Sequence, residues 1–85
     1  MKYYKNLYTS AKESSDQYEY GWVHYFRYDD DHNDIHKIRL YGYDHWHRVW
    51  NKVVPQMTLY SYFNNGIKNG FIVEITESEA FVEIL

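Results

Sequence analysis

Nine consecutive residues, Tyr20-Gly21-Trp22-Val23-His24-Tyr25-Phe26-Arg27-Tyr28, constrain this chain more than any other stretch. Aromatic and β-branched side chains lose rotamer freedom in a helix and pack well on a pleated surface, so the segment reads as a strand. A polar break follows, Asp29 to Asp34, and then His36-Lys37-Ile38-Arg39-Leu40-Tyr41-Gly42-Tyr43, which alternates along its length. Two strand patterns around a polar break predict a long β-hairpin over residues 18–43. Pairing Phe26 with Ile38, His24 with Leu40 and Trp22 with Gly42 gives the indole room above a glycine. That register turns Trp22, Phe26, Ile38 and Leu40 inward. It turns Val23, Tyr25, Arg27, Lys37, Arg39, Tyr41 and Tyr43 outward.

After the hairpin the period changes. Trp46, Val49, Trp50, Val53 and Val54 recur at helical spacing behind Asp44, a good N-cap, and Pro55 stops the pattern. Thr58 heads a second helical segment with Leu59, Tyr62 and Phe63 on one side and Gly66 or Gly70 at its end. Phe71 to Ile75 reads as a strand, Glu77 to Glu79 as a turn, and Ala80 to Leu85 as a final strand. Residues 2–8 fit either a helix face or alternation, and Ser10 to Gln17 reads as a polar loop or short turn. The expected fold is therefore α+β: an antiparallel sheet of about four strands, one or two helices on one face, order β-β-α-α-β-β. Eighty-five residues suit one domain spanning 1–85.

Composition narrows the function. The chain has no cysteine, which removes disulfides, thiolate ligands and thiol nucleophiles. Residues 1–8 lack a signal-peptide core and no run is long enough to span a bilayer, so a cytoplasmic protein without membrane association is expected. Aromatic residues make up 21% of the chain, eleven of them Tyr, and some of those hydroxyls must lie at the surface. The net charge of −3 is segmented: four aspartates at 29–34, an excess of Lys and Arg over 36–70, and four glutamates over 71–85.

Chemistry-bearing motifs are weak. His45-Trp46-His47 would place two imidazoles about 200° apart on a helix, unsuited to one metal ion. Asp29, Asp31 and Asn33 match the first EF-hand ligands, but Asp34 stands where that loop needs Gly and Leu40 where it needs Glu. No serine sits in an elbow context and no glycine loop cradles phosphate. His24 lacks an evident orienting partner. No metal, cofactor or catalytic residue is expected.

The outward hairpin face is the expected site: Tyr25, Arg27, Lys37, Arg39, Tyr41 and Tyr43 set rings beside cations. Such a face suits a protein interface. The expected function is a small non-enzymatic protein-binding module, an inhibitor or adaptor of phage or mobile-element type that occludes a host protein. The alternative is a single-stranded nucleic-acid binder using the same face. A homodimer through the C-terminal strand is a further expectation.

Overall fold

The computed structural model describes residues 1–8, 20, 22–29 and 39–84. Lys37, Ile38, residues 30–34 of the expected acidic turn and residues 10–17 lie outside the described residues. Five antiparallel strands form one sheet: β1 (Lys2–Asn6), β2 (Tyr25–Tyr28), β3 (Leu40–Asp44), β4 (Val49–Val53) and β5 (Ile72–Ile75). Their order in space is β4-β3-β2-β1-β5. Helix α1 (Thr58–Asn69) links β4 to β5, and α2 (Glu77–Ile84) follows β5. An α+β arrangement holds, with chain order β-β-β-β-α-β-α.

Successive strand residues point to opposite faces. Tyr4, Phe26, Leu40, Gly42, Val53 and Ile72 share the first face, where α1 packs. Phe63 of α1 lies edge-on to Tyr4 at 5.2 Å between centroids and against Phe26 at 5.0 Å. Phe26, Leu40, Val53, Leu59, Tyr62, Phe63 and Ile72 form the main core with Val23 and Phe71. Leu59, Tyr62 and Phe63 are the stripe expected of α1. Gly70, in the left-handed region at φ +83°, caps its end and donates its N–H to the Gly66 carbonyl.

Four expectations are corrected. The segment behind Asp44 is a hairpin rather than a helix. Asp44 Oδ1 accepts the backbone N–H groups of Trp46 and His47, at 3.0 and 3.1 Å, but Arg48 turns left-handed at φ 55° and the chain reverses into β4. The last segment is a helix rather than a strand. Thr76 Oγ1 accepts the Glu79 N–H and donates to the Glu79 carboxylate, each at 3.1 Å, a reciprocal cap that starts α2. No C-terminal strand is therefore offered at 77–84 for dimerisation.

The helices also lie on both faces, not one. Phe81 of α2 meets Tyr3 edge-on at 5.8 Å, and Glu83 meets Lys5 and Tyr25, all on the face opposite α1. Finally, the β2–β3 register pairs Phe26 with Gly42, Arg27 with Tyr41 and Tyr28 with Leu40. It slips four residues from the expected pairing, which sets Phe26 against Ile38, an even slip that keeps the faces. Trp22 cannot oppose Gly42 because the chain is still turning there: Val23 N–H donates to the Tyr20 carbonyl at 2.9 Å. Val23, expected outward, is buried in the core ahead of the strand.

Candidate functional site

The second sheet face carries the residues singled out in the hairpin, joined by two strands that the hairpin reading omitted. β1 contributes Tyr3 and Lys5, β2 Tyr25 and Arg27, β3 Tyr41 and Tyr43, β4 Trp50 and Lys52. The pairings Tyr3–Arg27, Arg27–Tyr41 and Tyr41–Lys52 place these four in one row across the sheet. Trp50 stands beside Tyr43 at 5.1 Å and reaches Tyr3 at 6.2 Å, both edge-on. The Arg27 guanidinium carbon lies 4.4 Å from the Tyr41 ring centre and 5.0 Å from that of Trp50. Its Nε is buried without a hydrogen-bond partner, and among the described residues no carboxylate pairs with it. The cation is held by rings, not by an ion pair.

α2 roofs the β1–β5 side of this face. Glu83 accepts from Lys5 Nζ at 3.1 Å and from the Tyr25 hydroxyl at 2.9 Å. These contacts hold the Glu83 carboxyl below the usual range, Lys5 first and Tyr25 second. Burial, then the bond to Glu83 and its charge, push the Tyr25 hydroxyl up to about 12. Among the described residues no helix roofs the β2–β4 side, where Arg27, Tyr41 and Trp50 are half-buried and Lys52 exposed.

The expected site residues are thus unequally placed. Arg27 and Tyr41 are in contact at the open part. Tyr25 is engaged by α2. Tyr43 is buried, 7% exposed, against the edge of Trp50. Arg39 sits half-buried just before β3, its carbonyl accepting the Asp29 N–H at 2.7 Å. Lys37 is outside the described residues. Sequence reasoning missed Trp50 and Lys52, absorbed into a supposed helix. The signal was weak: Val49, Trp50 and Val53 are strand formers, but Val49-Trp50-Asn51-Lys52-Val53 runs apolar, apolar, polar, polar, apolar and does not alternate.

A second aromatic group gathers at the β3–β4 turn. Trp22 stacks on Trp46 at 5.9 Å, Trp46 meets His45 at 4.3 Å, and His45 stacks on His24 at 4.8 Å. Trp46, a supposed core residue, is 62% exposed. His47 Nδ1 lies 2.7 Å from Asp44 Oδ2, so the two histidines of the His-x-His pair have different partners. Among the described residues no group of three or more His, Asp or Glu could hold a metal ion.

Between β4 and the first turn of α1 lies a cavity of about 300 Å³, walled by Tyr20, Trp22, Val23, Val53, Met57 and Leu59, with Asn51 also lining it. Tyr20 and Thr58 hydroxyls bond to each other at one side. No helix among the described residues is long and apolar enough to cross a membrane. Comparison with protein-family models, curated proteins and solved structures yields no match.

Proposed function

We propose that this chain is a non-enzymatic protein-binding module that covers a partner's surface with its second sheet face. The observation that carries this reading is the Arg27 guanidinium, held between Tyr41 and Trp50 with no described carboxylate against it. Arg and large rings grouped at a partly desolvated centre are the composition of interface anchors. Ring contact fixes the side chain before binding, so little rotamer freedom is left to lose when a partner carboxylate arrives. The partner surface that fits is acidic at its centre.

Single-stranded nucleic acid remains the alternative, and the same geometry weighs against it. Base stacking needs free ring faces. Arg27 occupies faces of Tyr41 and Trp50, and Tyr43 is buried.

The test is capture from nuclease-treated lysate on immobilised protein, with the wild type compared with an Arg27→Ala, Tyr41→Ala double variant of unchanged circular dichroism. Recovery of a protein partner that falls roughly tenfold or more in the variant supports the reading. Equal recovery by both proteins refutes the site. A wild type that recovers nothing, yet changes its tryptophan fluorescence with single-stranded oligonucleotide at low salt, transfers the function to the alternative.

A further inference from the structure

Among the described residues β4 is an edge strand, with β3 as its one sheet neighbour. In an antiparallel pair alternate residues aim their N–H and C=O groups away from the neighbouring strand, leaving a row of unused donors and acceptors. No backbone hydrogen bond from 49–53 to anything but β3 exists among the described residues. Chains blunt such edges with a bulge, a proline or charge. Along β4 the only such device is Lys52, since Pro55 lies beyond the strand.

The two sides of that edge differ. On the first face, Asn51 and Val53 border the cavity of about 300 Å³ that β4 shares with Leu59 of α1. On the second face stand Trp50 and the exposed Lys52, with Arg48 in the preceding turn. Among the described residues no carboxylate pairs with Lys52 or Arg48. The opposite sheet edge, β5, carries the exposed Glu74.

We propose that β4 accepts an extended, acidic segment of a protein partner as a sixth strand of the sheet. Resting on the protein-binding reading above, the inference names what the partner brings. Backbone pairing to β4 supplies affinity without regard to sequence, and side-chain alternation supplies selectivity. Residues opposite Asn51 and Val53 face the cavity and are apolar. Those between them lie beside Lys52 and Trp50 and are acidic, continuing toward Arg27 on the same face.

The test uses the ¹⁵N-labelled whole chain and synthetic octapeptides. One alternates Glu with Val. Two carry the same sequence N-methylated on one or the other alternate set of amides, and one replaces every Glu with Lys. Expected is a shift of the amides of residues 49–53 and 57–59 by the Glu/Val peptide. One methylated peptide and the Lys/Val peptide each bind roughly tenfold or more weakly, through loss of backbone bonds and of charge complementarity. Asn51→Trp, at an exposed position over the cavity, weakens the Glu/Val peptide similarly while the protein keeps its melting temperature. No shift with the Glu/Val peptide, equal binding by both methylated forms, or equal binding by the Lys/Val form overturns the proposal. So does concentration-dependent dimerisation of the free protein that shifts β4, because the occupant is then a second copy. Capture with the Arg27→Ala, Tyr41→Ala double variant reads the sheet face by itself, with no octapeptide present. Arg27-dependent capture without octapeptide binding therefore sinks strand addition alone.

Discussion

His24 and His45 stack face to face, ring centroids 4.8 Å apart and planes 19° from parallel. His24 precedes β2, and His45 belongs to the β3–β4 turn whose far side is held by the Asp44–His47 contact. Burial first, and the charge of His45 second, lower the His24 pKa below its ordinary 6.5. The unfolded chain then takes up the proton more readily than the folded one. Stability is complete above the ordinary histidine range and declines as pH falls through it toward the folded value. Urea unfolding between pH 7.5 and 5 should show the midpoint falling, with the fall reduced in His24→Gln. Glu83 and Asp44, whose carboxyls are held low, act in a separate window, where stability present above pH about 4.5 is lost on further acidification. A midpoint that is flat from 7.5 to 5 in the wild type refutes the coupling.

Gly66 sits inside α1, where replacing glycine by alanine ordinarily gains about 0.5–1 kcal/mol. Here an alanine Cβ would stand 2.3 Å from Cδ1 and 2.4 Å from Cγ1 of Ile72, a buried core side chain on β5. Overpacking of a tight core costs about 1–3 kcal/mol, so the clash wins over propensity. Gly66→Ala should lower the unfolding free energy by about 1–2 kcal/mol. In an Ile72→Val background the penalty should shrink, because the Cδ1 contact is gone. Equal penalties in both backgrounds would reject the steric cause.

Much of the fold was legible where local chemistry and tertiary packing agree. The α1 stripe of Leu59, Tyr62 and Phe63, its end at Gly70 and the 72–75 strand are examples. Residues 46–54 carry a helical period although they fold as a turn and a strand. Asp44 makes the same side-chain bonds to backbone N–H groups in a tight turn as in a helix cap, so the capping residue could not decide between them. The reversal depends on Arg48 adopting a left-handed conformation, for which arginine carries no sequence signal. α2 carried a readable sign, Thr76 three residues before Glu79, outweighed by the β-branched and aromatic content of 81–84. The aromatic and basic face was found by parity alone, and parity survives a four-residue slip. Trp50 became visible as a site residue only once β4 was a strand.

Asn6 shows what a sequence pattern cannot reveal: a fully buried polar side chain with every group used. Its Nδ2 donates to the Tyr62 hydroxyl at 2.9 Å and to the carbonyls of Val23 and Tyr20 at 3.2 and 3.4 Å. Its Oδ1 accepts the Tyr8 N–H at 3.1 Å. One amide therefore ties the end of β1 to the turn before β2 and to α1. Asn6→Ala strands several of these partners away from water, at about 1–3 kcal/mol for each left unsatisfied. A loss of about 2–4 kcal/mol in urea unfolding is expected for this variant. Asn6→Asp, nearly isosteric but without donors, should lose a similar amount at pH 7. A loss under about 1 kcal/mol in both would mean the network contributes little net stability.

The Tyr25–Glu83 bond fixes α2 across the sheet and is readable by titration. The Tyr25 hydroxyl is pushed up to about 12, so the unfolded chain, with an ordinary tyrosine, ionises first. Stability contributed here is complete below pH about 10 and is lost as pH rises through the folded value. Glu83→Gln removes the charge and should bring the Tyr25 pKa down, followed through its ¹³Cζ resonance. Burial, the larger cause, remains, so part of the elevation persists. An unchanged Tyr25 titration in Glu83→Gln would show that the two side chains are not in contact in solution.

Arg27 tests whether the open face is kept for the fold or for a partner. Contact with Tyr41 and Trp50 stabilises the guanidinium by about 0.5–1 kcal/mol per ring at a half-exposed site. Enclosing Nε without an acceptor costs about 1–3 kcal/mol. These terms nearly cancel, so the charge adds little to the fold. Arg27→Met keeps an aliphatic stem over the rings, removes the buried N–H, and should leave the unfolding free energy within about 1 kcal/mol of wild type. Partner capture should nonetheless fall by about tenfold or more, and Arg27→Lys should not restore it. Lysine keeps the charge but loses the planar stack and the paired donors that a carboxylate uses. If Arg27→Met instead lowers stability by several kcal/mol, the residue serves the sheet, and the case for a binding face resting on it collapses.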